Sequence, residues 1–340
     1  MDKIIRVGNL IIPEAYELLQ KRYSILKAIS LDEPIGRRAL AVKLDDTERG
    51  IRKETDFLKD RKLIDALAAG MVLTKEGKKL LEDLFDLMEK YLGFDEMAEK
   101  LALAHGLRKV IIVPGDSDSD SEVSDDLGKI AAEYLSEILS GKQILALTGG
   151  STIKKMVDRI PDSMLGEGLT IVPARGAVGK FYELQANTLV GRLAEKTGSS
   201  YKLLNIPENL SEVTTRAILK DRDVKETLKF IKNAQVVVAG VGNAVTTFER
   251  RGTGDEQGRK LIQSYGVGEF FGSYFDKNKK VIKTAVTVGL DIEDLKKVKE
   301  VIILSAGSKK GEAIAAVDFK GLNATLITDY GAAKKMFEML

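Results

Sequence analysis

Cysteine is absent from this 340-residue chain, which excludes disulfide frameworks, thiolate nucleophiles and zinc sites built on thiolates. Histidine occurs once, at His105, so a Ser-His-Asp triad or a multi-histidine metal centre has no material. Net charge is nearly absent as well. With 53 basic against 51 acidic side chains, any affinity for nucleic acid has to come from a local patch. No apolar run approaches the ~20 residues a membrane span needs. The N-terminus MDKIIRVGNL also has no long apolar core ahead of a cleavage site. The expectation is a cytoplasmic protein with no membrane partner and no metal site, long enough for two or three domains.

What is present begins with a helical pattern. Between residues 12 and 30, Leu19, Tyr23, Leu26 and Ile29 recur at spacings of three and four, which marks one buried face. Pro34-Ile35-Gly36 breaks it, and RRALAVKL follows as a short helix with Leu40 and Leu44 inward. Asp45-Asp46-Thr47 then supplies an N-cap for a third helix, TERGIRKETDFLKDRKL. On that helix Ile51 and Leu58 share a face, while Arg49, Arg52, Lys53 and Asp56 fall opposite. LIDAL and MVLT around Ala-Ala-Gly read as a hairpin. Three short helices with a capped basic third one and a closing hairpin predict a winged helix-turn-helix. Its candidate contacts to double-stranded operator DNA are Arg37, Arg38, Thr47, Arg49, Arg52 and Lys53. From residue 75 a stripe of Leu81, Leu84, Phe85, Met88 and Leu92 marks a longer helix that either pairs protomers, joins domains or packs back on its own domain. The domain boundary is expected near residue 90, giving a DNA-binding domain with linker helix at 1–90 and a second domain at 91–340.

Beyond residue 109 the texture changes. KVIIVP, QILALT, LTIVPA, QVVVAG, VIKTAVTV, EVIILSAG and NATLITD are short apolar runs, most of them followed by turn residues and then a helical pattern. That alternation predicts an α/β domain with a mostly parallel sheet covered on both faces. Ligands of such sheets sit outside the carboxyl ends of the strands. Three strand ends carry phosphate chemistry. The first is Thr148-Gly149-Gly150-Ser151-Thr152, where two glycines turn an apolar run into a helix N-terminus. The second is Ser305-Ala306-Gly307-Ser308-Lys309-Lys310, and the third is Arg175-Gly176. Two glycine loops and an arginine exceed the needs of one phosphate, so a bisphosphorylated ligand is expected. The acidic run from Asp116 to Glu122 lacks the glycine and the glutamate of a calcium loop and is read as a solvated loop.

EPIGRRALAVKL, TGGST, VPARGAVG, Gln185-Ala186-Asn187 and ITDYGAAKKM together resemble the SorC family of sugar-responsive bacterial regulators, from about residue 15 to the C-terminus. The resemblance implies a winged-helix DNA-binding domain joined to a Rossmann-like effector domain of the sugar-phosphate isomerase/deaminase type. It also implies a transcriptional repressor of glycolytic genes, with fructose-1,6-bisphosphate as inducer, acting as a homo-oligomer (a dimer or, on DNA, a tetramer). Such a regulator is expected to have no cofactor and no catalytic residue. The family's effector positions fall on Gly149, Gly150, Ser151, Thr152, Arg175, Gln185, Arg250, Glu269, Gly307 and Lys310. Hydroxyls, amides, Arg175, Arg250 and Lys310 would hold phosphates, and Gln185 and Glu269 would meet sugar hydroxyls. The rival reading is a sugar-phosphate isomerase or deaminase with an appended DNA-binding domain and Glu269 as its base.

Overall fold

A computed structural model of the chain describes residues 12–44, 46–91, 94–162, 168–176, 181–206, 212–252 and 255–340. The chain divides into two units, Met1–Asp95 and Glu96–Leu340.

In the first unit, α1 (Pro13–Asp32) buries Tyr23, Leu26 and Ile29, as its periodicity predicts, with Ile25 and Ala28 filling the same side. Helix α2 (Arg37–Lys43) inserts Leu40 and Ala41, and Leu44 packs at the core's margin. Helix α3 (Glu48–Asp60) starts where Thr47 Oγ1 accepts the Gly50 N–H at 3.0 Å, a cap that contributes about 1 kcal/mol. Asp45 lies outside the described residues. Ile51, Glu54, Thr55 and Leu58 form the buried face of α3. Burying each of the two aliphatic side chains stabilises the unit by about 1.5–3 kcal/mol. Glu54 is tolerated there because Arg22 Nε donates to it at 2.8 Å, and the Arg22 guanidinium lies 3.6 Å over the Phe57 ring. Strands β1 (Ile64–Leu67) and β2 (Gly70–Leu73) pair antiparallel as the expected hairpin, and Ile35 adds an isolated antiparallel bridge to Met71. Helix α4 (Lys75–Tyr91) turns Leu81 and Leu84 back onto this same core. The Phe85 and Met88 side chains and residue Leu92 lie outside the described residues.

The second unit follows α5 (Phe94–His105) with β3 (Lys109–Val113), α6 (Ser121–Ile138), β4 (Ile144–Leu147), α7 (Ser151–Arg159) and β5 (Thr170–Pro173). Next come a 3-10 turn (Tyr182–Leu184), α8 (Ala186–Thr197), β6 (Ser200–Tyr201), α9 (Glu212–Ile218), α10 (Arg222–Lys232) and β7 (Val236–Ala239). A small antiparallel sheet then forms from β8 (Gly242–Asn243), β9 (Gly268–Phe270), β10 (Ser273–Phe275) and β11 (Val281–Thr284). Helices α11 (Ala244–Arg251) and α12 (Glu256–Tyr265) lie between its first two strands. The chain closes with α13 (Ile292–Leu295), β12 (Glu300–Leu304), α14 (Ser308–Ala315), β13 (Ala324–Asp329) and α15 (Tyr330–Phe337).

The main sheet has seven strands in the order β3-β13-β12-β7-β4-β5-β6, and its pairs are parallel. Strands β7, β12 and β13 are buried along their whole length, which is why they read as continuous apolar runs rather than alternating ones. One expectation fails. VIKTAVTV does not join the parallel sheet, because β11 is an outer antiparallel strand of the small sheet. None of its four residues is buried, as befits an outer strand with one unpaired edge. The order of the main sheet reverses between β4 and β7. From β4 the chain builds outward through β5 and β6, and from β7 it builds the other way. Such a switch point leaves a crevice at the strands' carboxyl ends.

Candidate functional site

A cavity of about 520 Å³ occupies that crevice. Its walls are strand ends: residues 148–153 after β4, Arg175 and Gly176 after β5, residues 240–243 after β7, and Lys309 and Lys310 after β12. Of the predicted effector residues, Gly149, Gly150, Ser151, Thr152, Arg175, Gln185, Arg250, Glu269 and Lys310 line it.

The two glycines after β4 are required for different reasons. A side chain at Gly149 would place its Cβ 2.3 Å from the Leu184 carbonyl oxygen. Gly150 has φ +138, a conformation open to glycine at little cost. Its N–H donates to Leu184 O at 3.0 Å, so that amide is committed to the fold, contrary to the expectation that it faces a phosphate. Helix α7 begins immediately after, with no side-chain cap from its N-cap residue. Its first turn, Ser151 to Ile153, lines the cavity, and first-turn N–H groups have no intrahelical partner.

Arg175 follows β5 and is held by an isolated antiparallel bridge to Gly289. The residue is 8% exposed, and its guanidinium stands 3.5 Å from Glu269 Oε1 and 5.5 Å from the Phe271 ring. Glu269 Oε1 also accepts from Arg251 Nη2 at 3.0 Å and from the Gly272 N–H at 2.7 Å. Arg251 Nη1 donates to the Tyr274 hydroxyl at 2.9 Å. Burial drives the Tyr274 phenol up to about 12, so it stays a neutral hydroxyl. Sequence reasoning chose Arg250 from the Arg250-Arg251 pair and overlooked Arg251. Arg250 is exposed at the cavity rim, whereas Arg251 is buried and organises Glu269. Asn243, Thr246 and Thr247 were also overlooked, although the Gly240-Val241-Gly242 turn after the QVVVAG strand was the available signal.

The two glycine loops differ in occupancy. Gly307 is not among the residues lining the cavity. Its N–H donates to Asp329 Oδ2 at 2.9 Å, the Ser308 N–H to Asp116 Oδ1 at 3.1 Å, and the Lys309 N–H to Asp118 Oδ2 at 2.8 Å. The start of α14 is therefore filled by carboxylates. The acidic run read as a solvated loop is instead docked on a helix N-terminus, where the dipole and orphan amides favour anions. Burial raises the Asp116 carboxyl, but the Asp118 and Ser308 hydrogen bonds outweigh it and hold the group below the usual range. Burial pushes the Lys310 ammonium below its ordinary range, with Asp118 opposing and Arg250 assisting the shift.

In the first unit, Arg49, Arg52 and Lys53 project from the exposed side of α3, as predicted. Arg52 Nη2 is 3.6 Å and Arg38 Nε 3.5 Å from Glu48, loose pairs that a phosphate can replace. Arg37 is placed differently. It pairs with Asp56, and its Nε donates to Thr55 Oγ1 at 3.2 Å, tying α2 to α3. Arg37→Ala is expected to lower the stability of this unit by about 1 kcal/mol, read as a shifted urea midpoint. An unchanged midpoint would free Arg37 for a DNA role alone.

Comparison with known proteins accords with both units. A sugar-binding domain family matches residues 89–338, and the CggR N-terminal DNA binding domain matches residues 18–88. The central glycolytic genes regulator of Priestia megaterium is 40% identical over 337 residues, covering 99% of this chain and 98% of the relative. That of Bacillus subtilis is 38% identical over 336 residues and 99% of both chains. The solved structure of a SorC family transcriptional regulator from Enterococcus faecalis superposes with a TM-score of 0.65 at 30% identity, over 71% of this chain and 99% of that one. With a DNA-binding domain and a sugar-binding domain in series, this chain belongs to the SorC family of transcriptional regulators, in its group of central glycolytic genes regulators.

Proposed function

We propose that the chain is a repressor of glycolytic genes whose grip on operator DNA is released by a sugar phosphate, fructose-1,6-bisphosphate above all. The observation that carries this reading is the uncapped first turn of α7 opening, with Arg175, onto a cavity also lined by Arg250 and Lys310. A phosphate there meets orphan amides, hydroxyls of Ser151 and Thr152, and a desolvated guanidinium. Arg250 and Lys310 hold the second phosphate, and Gln185 meets sugar hydroxyls. Without ligand, dimers or tetramers space their α3 helices to match repeated half-sites. Ligand shifts that arrangement through its differential affinity for the two states. A coupling of about 1–3 kcal/mol changes operator binding roughly 5- to 150-fold.

An operator titration with and without fructose-1,6-bisphosphate tests the proposal, and equal affinity in both sinks it. The chain acts as a sensor rather than as an isomerase or deaminase. Supporting this, the Glu269 carboxylate is held between two buried arginines. Its Oε1 accepts from Arg251 and the Gly272 N–H and lies 3.5 Å from Arg175 Nη1, which suits a fixed counter-ion rather than a proton-shuttling base. In the DNA unit, Arg52→Ala is expected to weaken operator binding by about 1–3 kcal/mol if the guanidinium reads a base edge. A normal gel-shift affinity places the recognition surface elsewhere.

A further inference from the structure

Three carboxylates meet the start of α14, and they are not equivalent. Asp329 is fully buried on β13 and also accepts from the Ser117 and Ala332 amides at 2.8 and 2.9 Å. Asp116 is half-buried and closes its own turn by accepting the Asp118 N–H at 3.0 Å. Both are built into the fold. Asp118 is exposed, and its carboxylate reaches α14, accepting from the Lys309 N–H at 2.8 Å and the Ser308 hydroxyl at 3.4 Å. Of the three, Asp118 is the one that lines the cavity, beside Lys309 and Lys310. Its charge partly offsets the burial of the Lys310 ammonium.

We propose that Asp118 is a displaceable counter-ion, a carboxylate standing where an anionic oxygen of the ligand binds, and that its displacement sets the preference for bisphosphorylated over monophosphorylated sugars. This rests on the effector reading above and deepens it. A carboxylate offers one negative charge to the Lys309 amide and the Lys310 ammonium. A phosphate monoester offers nearly two and a third acceptor oxygen, so it takes these donors and turns Asp118 out to solvent. A sugar with one phosphate seats that group at α7 and has only hydroxyls to present at α14. Hydroxyls do not replace a carboxylate at a helix N-terminus, so Asp118 stays and the second half of the site remains closed. Asp118 thereby gives the empty site an internal ligand of intermediate strength, weaker than phosphate and stronger than hydroxyl.

The test compares the full chain with Asp118→Asn and Asp118→Ala by calorimetry, titrating fructose-1,6-bisphosphate and fructose 6-phosphate. Asn keeps an acceptor for the Lys309 N–H and removes only the charge, so it controls for loss of loop structure. The expected result is at least about fivefold tighter bisphosphate binding in both variants, since a competing internal anion is gone. Monophosphate affinity changes by less than about twofold, because that ligand never reaches the competed donors. Weaker binding of both sugars in the variants overturns the proposal and makes Asp118 a direct ligand of the sugar. An equal gain for both sugars overturns it too, as a general field effect without selectivity. Absence of binding to the unmodified chain defeats the effector reading itself, and the role of Asp118 with it.

Discussion

Arg175→Ala is expected to weaken fructose-1,6-bisphosphate binding by about 100-fold while operator affinity without ligand stays within about twofold. The size follows from where the guanidinium sits. Arg175 as a whole is 8% exposed, its backbone is pinned by the bridge to Gly289, and its Nη1 stands 3.5 Å from Glu269. The cost of desolvating and ordering this side chain is met on folding, so a phosphate gains a preorganised charge-assisted donor. Hydrogen bonds to charged groups contribute about 1.5–3 kcal/mol each, and a fork offers two. The fold should survive the truncation, because Glu269 Oε1 keeps Arg251 at 3.0 Å and the Gly272 amide at 2.7 Å. Calorimetry with the sugar bisphosphate and a gel shift with operator make the pair of measurements. Unchanged sugar affinity would assign Arg175 to the fold alone.

The second large effect concerns acid. His105 is 2% exposed, its Nδ1 lies 3.0 Å from the Lys279 ammonium, and burial together with that charge pulls it to about 4. The unfolded chain binds this proton near the ordinary value of about 6.5, so acid favours the unfolded state. The stability is complete above pH ~6.5 and is lost as pH falls through the folded value. A shift of this size corresponds to at most about 3 kcal/mol. Urea unfolding at pH 7 and pH 4.5 measures the loss, and His105→Gln isolates it from the protonation of carboxylates. If the variant loses as much stability as the original chain over that interval, His105 is not the cause.

His105 also shows how sequence and structure divide the information. A lone histidine ahead of the first sheet strand excluded a triad but gave no sign of its own burial. Its burial depends on Lys279, 174 positions later in the chain, and no local pattern encodes such a neighbour. By contrast, the faces of α1 and α3 were legible because periodicity is a local property. Leu26, Ile29, Ile51 and Leu58 are buried where the 3.6-residue repeat puts them. The Thr47 cap was legible for the same reason. VIKTAVTV misled because a β-rich run does not say which sheet it joins. Register and partner are set by tertiary pairing, here to β10.

The candidate site divides along the same line. Strand ends with glycine, hydroxyl and basic residues announced the loops at residues 148–152 and 305–310, since the turn chemistry is written in consecutive residues. Whether each loop stays open depends on chain segments far away. The α7 start is left without a side-chain cap, while the α14 start receives Asp116 and Asp118, which are about 190 residues distant. Likewise, adjacent arginines look alike in sequence, and only the packing of α11 against β9 and β10 makes Arg251 the buried organiser of Glu269 and Arg250 the rim charge.

The sequence alone determined the winged-helix elements, the apolar runs of the parallel sheet, the basic face of α3, the strand-end loops and the charge they carry, because these follow from neighbours within a few residues. The tertiary structure decided which loops converge, through the reversal of strand order between β4 and β7. It also decided which helix N-terminus is open and which is already held by carboxylates. The reason is physical: hydrogen-bond satisfaction and desolvation are properties of the assembled surroundings of a group, not of the residue that bears it.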